Sequence, residues 1–163
     1  MKLKKRILFG QEARTKLQEG INILANAVGT TLGPKGRNVA INNQFSTPDV
    51  LHDGVTVAKQ INLEDDWQDM GAELLKAAAV KTNEVAGDGT TTSTVLAQAI
   101  INEALKNIQS GHNPMTLKKG IEDTLKLVLD ELKGMAKPIS TDEEKEQVAT
   151  ISSTDPIIGK LVA

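Results

Sequence analysis

The sequence predicts a mainly α-helical protein with a small β-sheet. Apolar residues recur at helical spacing through several long segments, and only two short β-branched runs, bounded by turn formers, interrupt them. The apolar complement is mostly Ala, Val, Leu and Ile, and the aromatics are Phe9, Phe45 and Trp67 alone, so close helix contacts through small side chains are expected. Of 163 residues 39% are hydrophobic and 25% charged, enough to bury one core and begin a second domain.

Lys2, Lys4, Lys5 and Arg6 precede only Ile7, Leu8 and Phe9 before Gly10, too short an apolar segment for a secretion signal, and are expected to begin a strand in solvent. Ala13, Leu17, Ile21, Leu24 and Val28 then form one stripe on a first helix ending near Gly29. Val39-Ala40-Ile41 and Val55-Thr56-Val57 read as strands, with Pro48 and the turn-forming Asp53-Gly54 between them. A second helix is expected from about Glu64 to Ala86, carrying Trp67, Met70, Leu74, Ala78 and Val85, and it stops at Gly87.

The third helix runs from about Thr90 to Gln109, with Leu96, Ile100 and Leu105 among its apolar residues and Gly111 closing it. Asn113-Pro114 starts a fourth, whose face of Leu117, Ile121, Leu125, Val128 and Leu132 reads as bundle core. Gly134 to Pro138 reads as a hinge, Thr141 to Glu144 as a capping box for another helix, and Asp155-Pro156 as one more helix start. Ile157 to Ala163 carries no stop signal, so the sequence is expected to break off inside an element.

A formal charge of -2 without a basic face argues against nucleic acid as a partner. No run is long enough to span a membrane helically, and the absence of cysteine removes disulfides and thiolate sites, which fits a reducing cytoplasm. His52 and His112 are too few for a histidine metal site.

The chemistry concentrates in Gly87-Asp88-Gly89-Thr90-Thr91-Thr92. Three threonines at a helix start cost up to about 0.7 kcal/mol each relative to alanine, roughly 2 kcal/mol together, which asks for an offset. Free amides, glycines that let the backbone approach and hydroxyl donors together favour a phosphate. Asp88 either caps the helix or faces the phosphate through a magnesium ion; the threonine triplet favours the second. Thr31-Leu32-Gly33-Pro34-Lys35-Gly36-Arg37-Asn38 is either an ordinary loop or a second ligand-contacting loop, and its spacing is not that of a Walker A motif. His52-Asp53-Gly54 is either a hairpin turn or the position of an aspartate that accepts from an attacking or metal-bound water.

The three segments, in this order, together with Val95-Leu96-Ala97-Gln98-Ala99-Ile100 and Asn113-Pro114-Met115, closely resemble a group I chaperonin, the GroEL family, along essentially the whole chain. The resemblance implies that residues 1–134 are the N-terminal part of an equatorial ATP-binding domain and 135–163 the start of an intermediate domain. It implies that the apical domain and the second half of the equatorial domain lie outside these residues. It further implies that Thr31, Leu32, Gly33 and Pro34 line ATP, that Asp88 holds magnesium, and that Gly89, Thr90, Thr91 and Thr92 wrap the phosphates. Asp53 would help position the attacking water, and Ile151 and Ser152 would contact nucleotide. The backbone at Thr31 and His52 would hold a monovalent cation, potassium.

Two departures stand out: His52 replaces the usual lysine, and Ser153 to Pro156 is one residue shorter than the family pattern. The whole protein is then expected to be an ATP-hydrolysing folding chaperone in a heptameric homo-oligomeric ring, with a co-chaperonin and unfolded clients bound through the apical domain. Two competing readings are a split interaction module that binds nucleotide or assembles with a partner without hydrolysis, and an unrelated phosphate-binding helical enzyme.

Overall fold

Two long helices cross where each carries a glycine, and that crossing organises the first half of the molecule. The computed structural model describes residues 6–42 and 47–163. Helix α1 (Gly10–Gly29) meets a helix at Asp66–Ala86, α3 in chain order. A methyl group on Gly20 would fall on the Gln68 carbonyl and one on Gly71 on the Leu17 carbonyl, so the backbones themselves touch. Glycine inside a helix costs about 1 kcal/mol relative to alanine, and the dispersion contacts of the close crossing offset it.

That approach explains a difference from the expected helix face. Met70, Leu74 and Val85 are exposed, while α3 buries Gly71, Ala72, Leu75, Lys76 and Ala79. The backbones touch at Gly71, and the buried face is the one that carries this glycine, with Ala72, Leu75 and Ala79, so Met70 and Leu74 fall outside it. Lys76 lays its stem in the buried face and brings its ammonium to 2.6 Å from Glu73.

The core gathers Ile21, Leu24, Ala25 and Val28 of α1, Ala72, Leu75 and Ala79 of α3, and Val55, Val57 and Ala58. Leu24 is wholly buried, so Leu24→Ala is expected to cost about 2–5 kcal/mol. Helix α4 (Thr90–Gln109) follows the expected bounds. Its Ala97 and Ile101 pack on the core, whereas Leu96 and Ile100 are exposed. Between α1 and α4 runs a ladder of carboxamides: Gln18 donates to Asn102, Asn102 to Asn22, and Gln98 to Asn22 and Asn26, at 2.8–3.1 Å. Such directional pairs hold one helix register against another.

The sheet is a two-stranded antiparallel hairpin, β1 (Val39–Ile41) and β2 (Asp49–Leu51), with Ala40 opposite Val50. Val55-Thr56-Val57, expected as a strand, is instead the body of α2 (Gly54–Gln60). Asp53 caps this helix, and Gly54, Val55, Val57 and Ala58 point inward. The positions 54, 55, 57 and 58 follow helical spacing; read alone, 55 to 57 imitate strand alternation.

Asp65 caps α3 through the amides of Trp67 and Gln68, and its other oxygen accepts from Lys16 of α1 at 3.0 Å. The Lys16 contact, then the Gln68 amide, holds the Asp65 carboxyl below its ordinary range, and Asp65 in turn raises Lys16. Arg6 pairs with Asp66 at 2.7 Å and lies over the Trp67 ring. The basic start at Lys2, Lys4 and Lys5 lies outside the described residues.

The chain divides into two compact units, Met1–Gly111 and His112–Ala163. In the second, Asn113 caps α5 (Pro114–Met135), which runs through Gly134, so an extended stretch begins only at Ala136. The face expected as bundle core is not buried: Ile121, Leu125, Val128 and Leu132 are exposed, and α5 has no buried residue. Amphipathic spacing says that a face can be covered, not what covers it. Helices α6 (Asp142–Ser153) and α7 (Pro156–Val162) pack with Gly159 on Thr150, where a methyl group would strike the threonine hydroxyl. The expected capping box is present: Thr141 and Glu144 cap each other's backbones, and the Ser140 and Thr141 amides lower the Glu144 carboxyl. No helix among the described residues is long and apolar enough to cross a membrane.

Candidate functional site

The loop after α1 folds on itself. Thr31 and Leu32 donate their amides to Val28 and Gly29, Gly36 to Gly33, and Arg37 to Thr30. Gly33 has φ of 75° and Gly36 sits where any side chain would strike the Thr31 carbonyl, so both glycines are required by geometry. Thr31 is buried, while Leu32, Gly33, Pro34 and Lys35 face solvent.

The Thr31 hydroxyl donates to the Val28 carbonyl at 2.8 Å and lies 3.3 Å from the Thr91 hydroxyl. A hydroxyl has one hydrogen; with that of Thr31 committed to Val28, Thr91 is the donor to Thr31. At 3.3 Å the bond is longer than a good O–H···O contact. Thr91 therefore gives it up readily to a stronger acceptor such as a phosphate oxygen.

The second segment is the start of α2. The Asp53 carboxylate accepts the Thr56 amide at 2.9 Å and the Thr56 hydroxyl at 2.7 Å, both on Oδ2. Oδ1 keeps its acceptor capacity, and Asp53 and His52 are exposed. Gly54 beneath them is buried against Thr91.

The third segment opens α4. Gly87 and Gly89, with φ of 73° and 79°, turn the chain sharply on either side of Asp88. Gly89 is the N-cap and provides no capping side chain. Ser93 is the first residue to donate back, to Gly89 at 2.9 Å, which leaves the amides of Thr90, Thr91 and Thr92 without intrahelical partners. The Asp88 carboxylate turns to the Gly89 amide, 2.6 Å away on Oδ1, and does not cap the helix. The three threonines differ: Thr90 is buried, Thr91 faces Thr31 and Gly54, and Thr92 is exposed.

Thr31, the Asp53-Gly54 helix start and Thr91 are thus brought together by three segments far apart in sequence. Ile151 and Ser152 lie exposed on the last turns of α6, in the second unit. Sequence reasoning misses the parts played by Gly54 and Thr56. Thr56 carries a readable signal, since Asp-x-x-Thr is cap spacing; the role of Gly54 depends on a neighbour 37 residues away.

An open, uncapped helix start attracts anions. Among the described residues no three His, Cys, Asp or Glu side chains are grouped for a metal. Magnesium is commonly held by one or two carboxylates and completed by substrate phosphates and water. Asp88, exposed and hydrogen-bonded to the Gly89 amide through Oδ1, is the candidate carboxylate here.

Residues 24–161 match the family model described as the TCP-1/cpn60 chaperonin family. A solved group III chaperonin in the open state superposes with TM-score 0.73 at 25% identity, over 88% of this chain and 29% of that one. The chaperonin gp146 of bacteriophage EL 2 (Pseudomonas aeruginosa), crystallised in the presence of ATP-BeFx, superposes with TM-score 0.75 at 31% identity, over 94% of this chain and 27% of that one. The chain spans between a quarter and a third of the length of these structures.

Proposed function

The chain belongs to the TCP-1/cpn60 chaperonin family, and from that premise we propose that it is the nucleotide-gripping N-terminal part of a group I chaperonin subunit. Residues 1–134 are read as equatorial domain and 135–163 as the start of an intermediate domain. The observation that carries this reading is the uncapped start of α4, set against Thr31 and the Asp53-capped α2. The amides of Thr90 to Thr92 and the Thr91 hydroxyl receive phosphate oxygens, and Leu32, Gly33 and Pro34 offer an exposed edge to the rest of the nucleotide.

Asp88 is the residue that would hold magnesium, which when bound neutralises phosphate charge. Asp53, held through one oxygen by Thr56, keeps the other to orient a water. The backbone at Thr31 and His52 is the candidate monovalent-cation position. The intact protein is proposed to be a heptameric ATPase ring that encloses unfolded chains with a co-chaperonin, functions that need segments outside this chain.

The test is equilibrium binding of ATP to the 163-residue chain with and without magnesium, alongside turnover. Magnesium-dependent binding with weak or no turnover is expected. Binding indifferent to magnesium would refute the site, and robust turnover would refute its dependence on further segments.

The exposed faces favour a second reading, in which the chain acts by assembling with a partner that supplies the missing half. Ile121, Leu125, Val128 and Leu132 alone make a continuous apolar stripe on α5. Co-purification with such a chain supports it; a persistently monomeric, partly unfolded product opposes it.

A further inference from the structure

Gly54 is the first residue of α2 and is buried. It is not among the glycines with positive φ, so its backbone does not need glycine; the space around it does. A Cβ at this position would fall on Thr91 Oγ1 and lie 3.2 Å from Thr91 Cβ and from the Thr91 amide nitrogen. The last two contacts are tight but yield to a shift of a few tenths of an ångström. The overlap with Oγ1 does not, and its simplest relief is rotation of the Thr91 side chain. Threonine in a helix has two accessible χ1 wells, so a second place for the hydroxyl exists. Moving there breaks its bond to Thr31.

The geometry points to Gly54 as a positioning residue: by carrying no side chain it holds the Thr91 hydroxyl between α2 and Thr31, and so sets where the open end of α4 stands relative to Asp53. This rests on the nucleotide reading above and adds to it a residue that acts through Thr91. It also implies a trade against local stability, since alanine is the better helix former at this position.

The test is Gly54→Ala in the whole chain, with three readouts: the urea midpoint, the Thr91 χ1 rotamer from three-bond couplings in NMR, and the affinity for ATP with magnesium. The expected variant keeps or raises the midpoint, changes the Thr91 rotamer and loses about tenfold in affinity, the scale of one displaced hydrogen bond to a charged group. In a Thr91→Ala background the same substitution should cost less than about twofold more, because its route of action is gone. An unchanged rotamer, an unchanged affinity, or an additive loss in that background overturns the proposal. Should Gly54→Ala alone unfold the chain, the Gly54→Ala/Thr91→Ala pair should fold, and its failure to do so also overturns it. A wild-type chain that binds no ATP refutes the nucleotide reading, while the Thr91 rotamer in Gly54→Ala still decides the role of Gly54.

Discussion

The same dipeptide, Asp-Gly, opens two helices in this molecule and produces opposite ends. At Asp53-Gly54 the aspartate is the N-cap: its backbone is extended, its carboxylate takes the Thr56 amide, and the helix start is closed at that amide. At Asp88-Gly89 the cap position falls one residue later, on the glycine, and the carboxylate reaches only the Gly89 amide. A shift of one residue turns a helix start that caps one of its own amides into one that leaves its first three amides for a ligand. The glycines divide in the same way. Gly54 lacks room for a side chain and needs no unusual φ; Gly89 has φ of 79°, and a methyl group there would meet nothing within 4 Å.

The comparison breaks most readily at Asp88. Because Asp88 does not cap α4, Asp88→Ala should leave the unfolding free energy from urea titration within about 0.5 kcal/mol of wild type, the usual range of a surface change. Its affinity for ATP in magnesium should nevertheless fall by about tenfold or more, to the magnesium-free level, as expected for loss of a charge-assisted ligand. Titration with and without magnesium checks this; unchanged magnesium dependence would remove Asp88 from the site.

Next in size is Gly89→Ala, which forces a side chain into the left-handed region at a cost of about 1–2 kcal/mol. The same change at Gly54 carries no such backbone penalty. Urea unfolding of the two variants side by side should separate them by that amount, and equal midpoints would show that the two glycines serve one purpose. Asp53→Ala follows, with an expected loss of about 1 kcal/mol for a removed N-cap. A midpoint as insensitive as that of Asp88→Ala would show that α2 does not depend on its cap.

Much of this contrast lies beyond what sequence alone can reveal. The end of α1, the bounds of α4 and the capping box at Thr141 follow from local signals, which act within one turn. Both Asp-Gly pairs are visible as turn or cap candidates, and the threonine triplet marks the open helix. The difference between them is not visible, because a one-residue change of cap register leaves the same residue types in the same order. Tertiary contact also decides the other departures from expectation. Val55 to Val57 is helix because burial against α1 and α3 selects its inner face, and α3 turns away Met70 and Leu74 because Gly20 and Gly71 bring the backbones together. Gly54 is the extreme case, since its neighbour Thr91 is invisible to any local window.

Asp65 extends the closed class to a third helix and supplies its pH signature. It caps α3 and binds Lys16 of α1, so one carboxylate joins a helix start to the main helix crossing. The Lys16 hydrogen bond first, then the Gln68 amide, holds this carboxyl below its ordinary value of 3.8. A group lowered on folding stabilises fully above its unfolded value, and the stabilisation is lost as pH falls through that value and on through the lower folded one. The contribution is modest because both partners are reached by solvent and screened by salt. Unfolding midpoints should therefore hold level from pH 7 to about pH 5 and decline in more acid solution. Asp65→Asn, which keeps an acceptor for the α3 amides but cannot ionise, should start lower at neutral pH and decline less steeply. Parallel curves for the two proteins would show that the closed starts of these helices owe nothing to the charge of their caps.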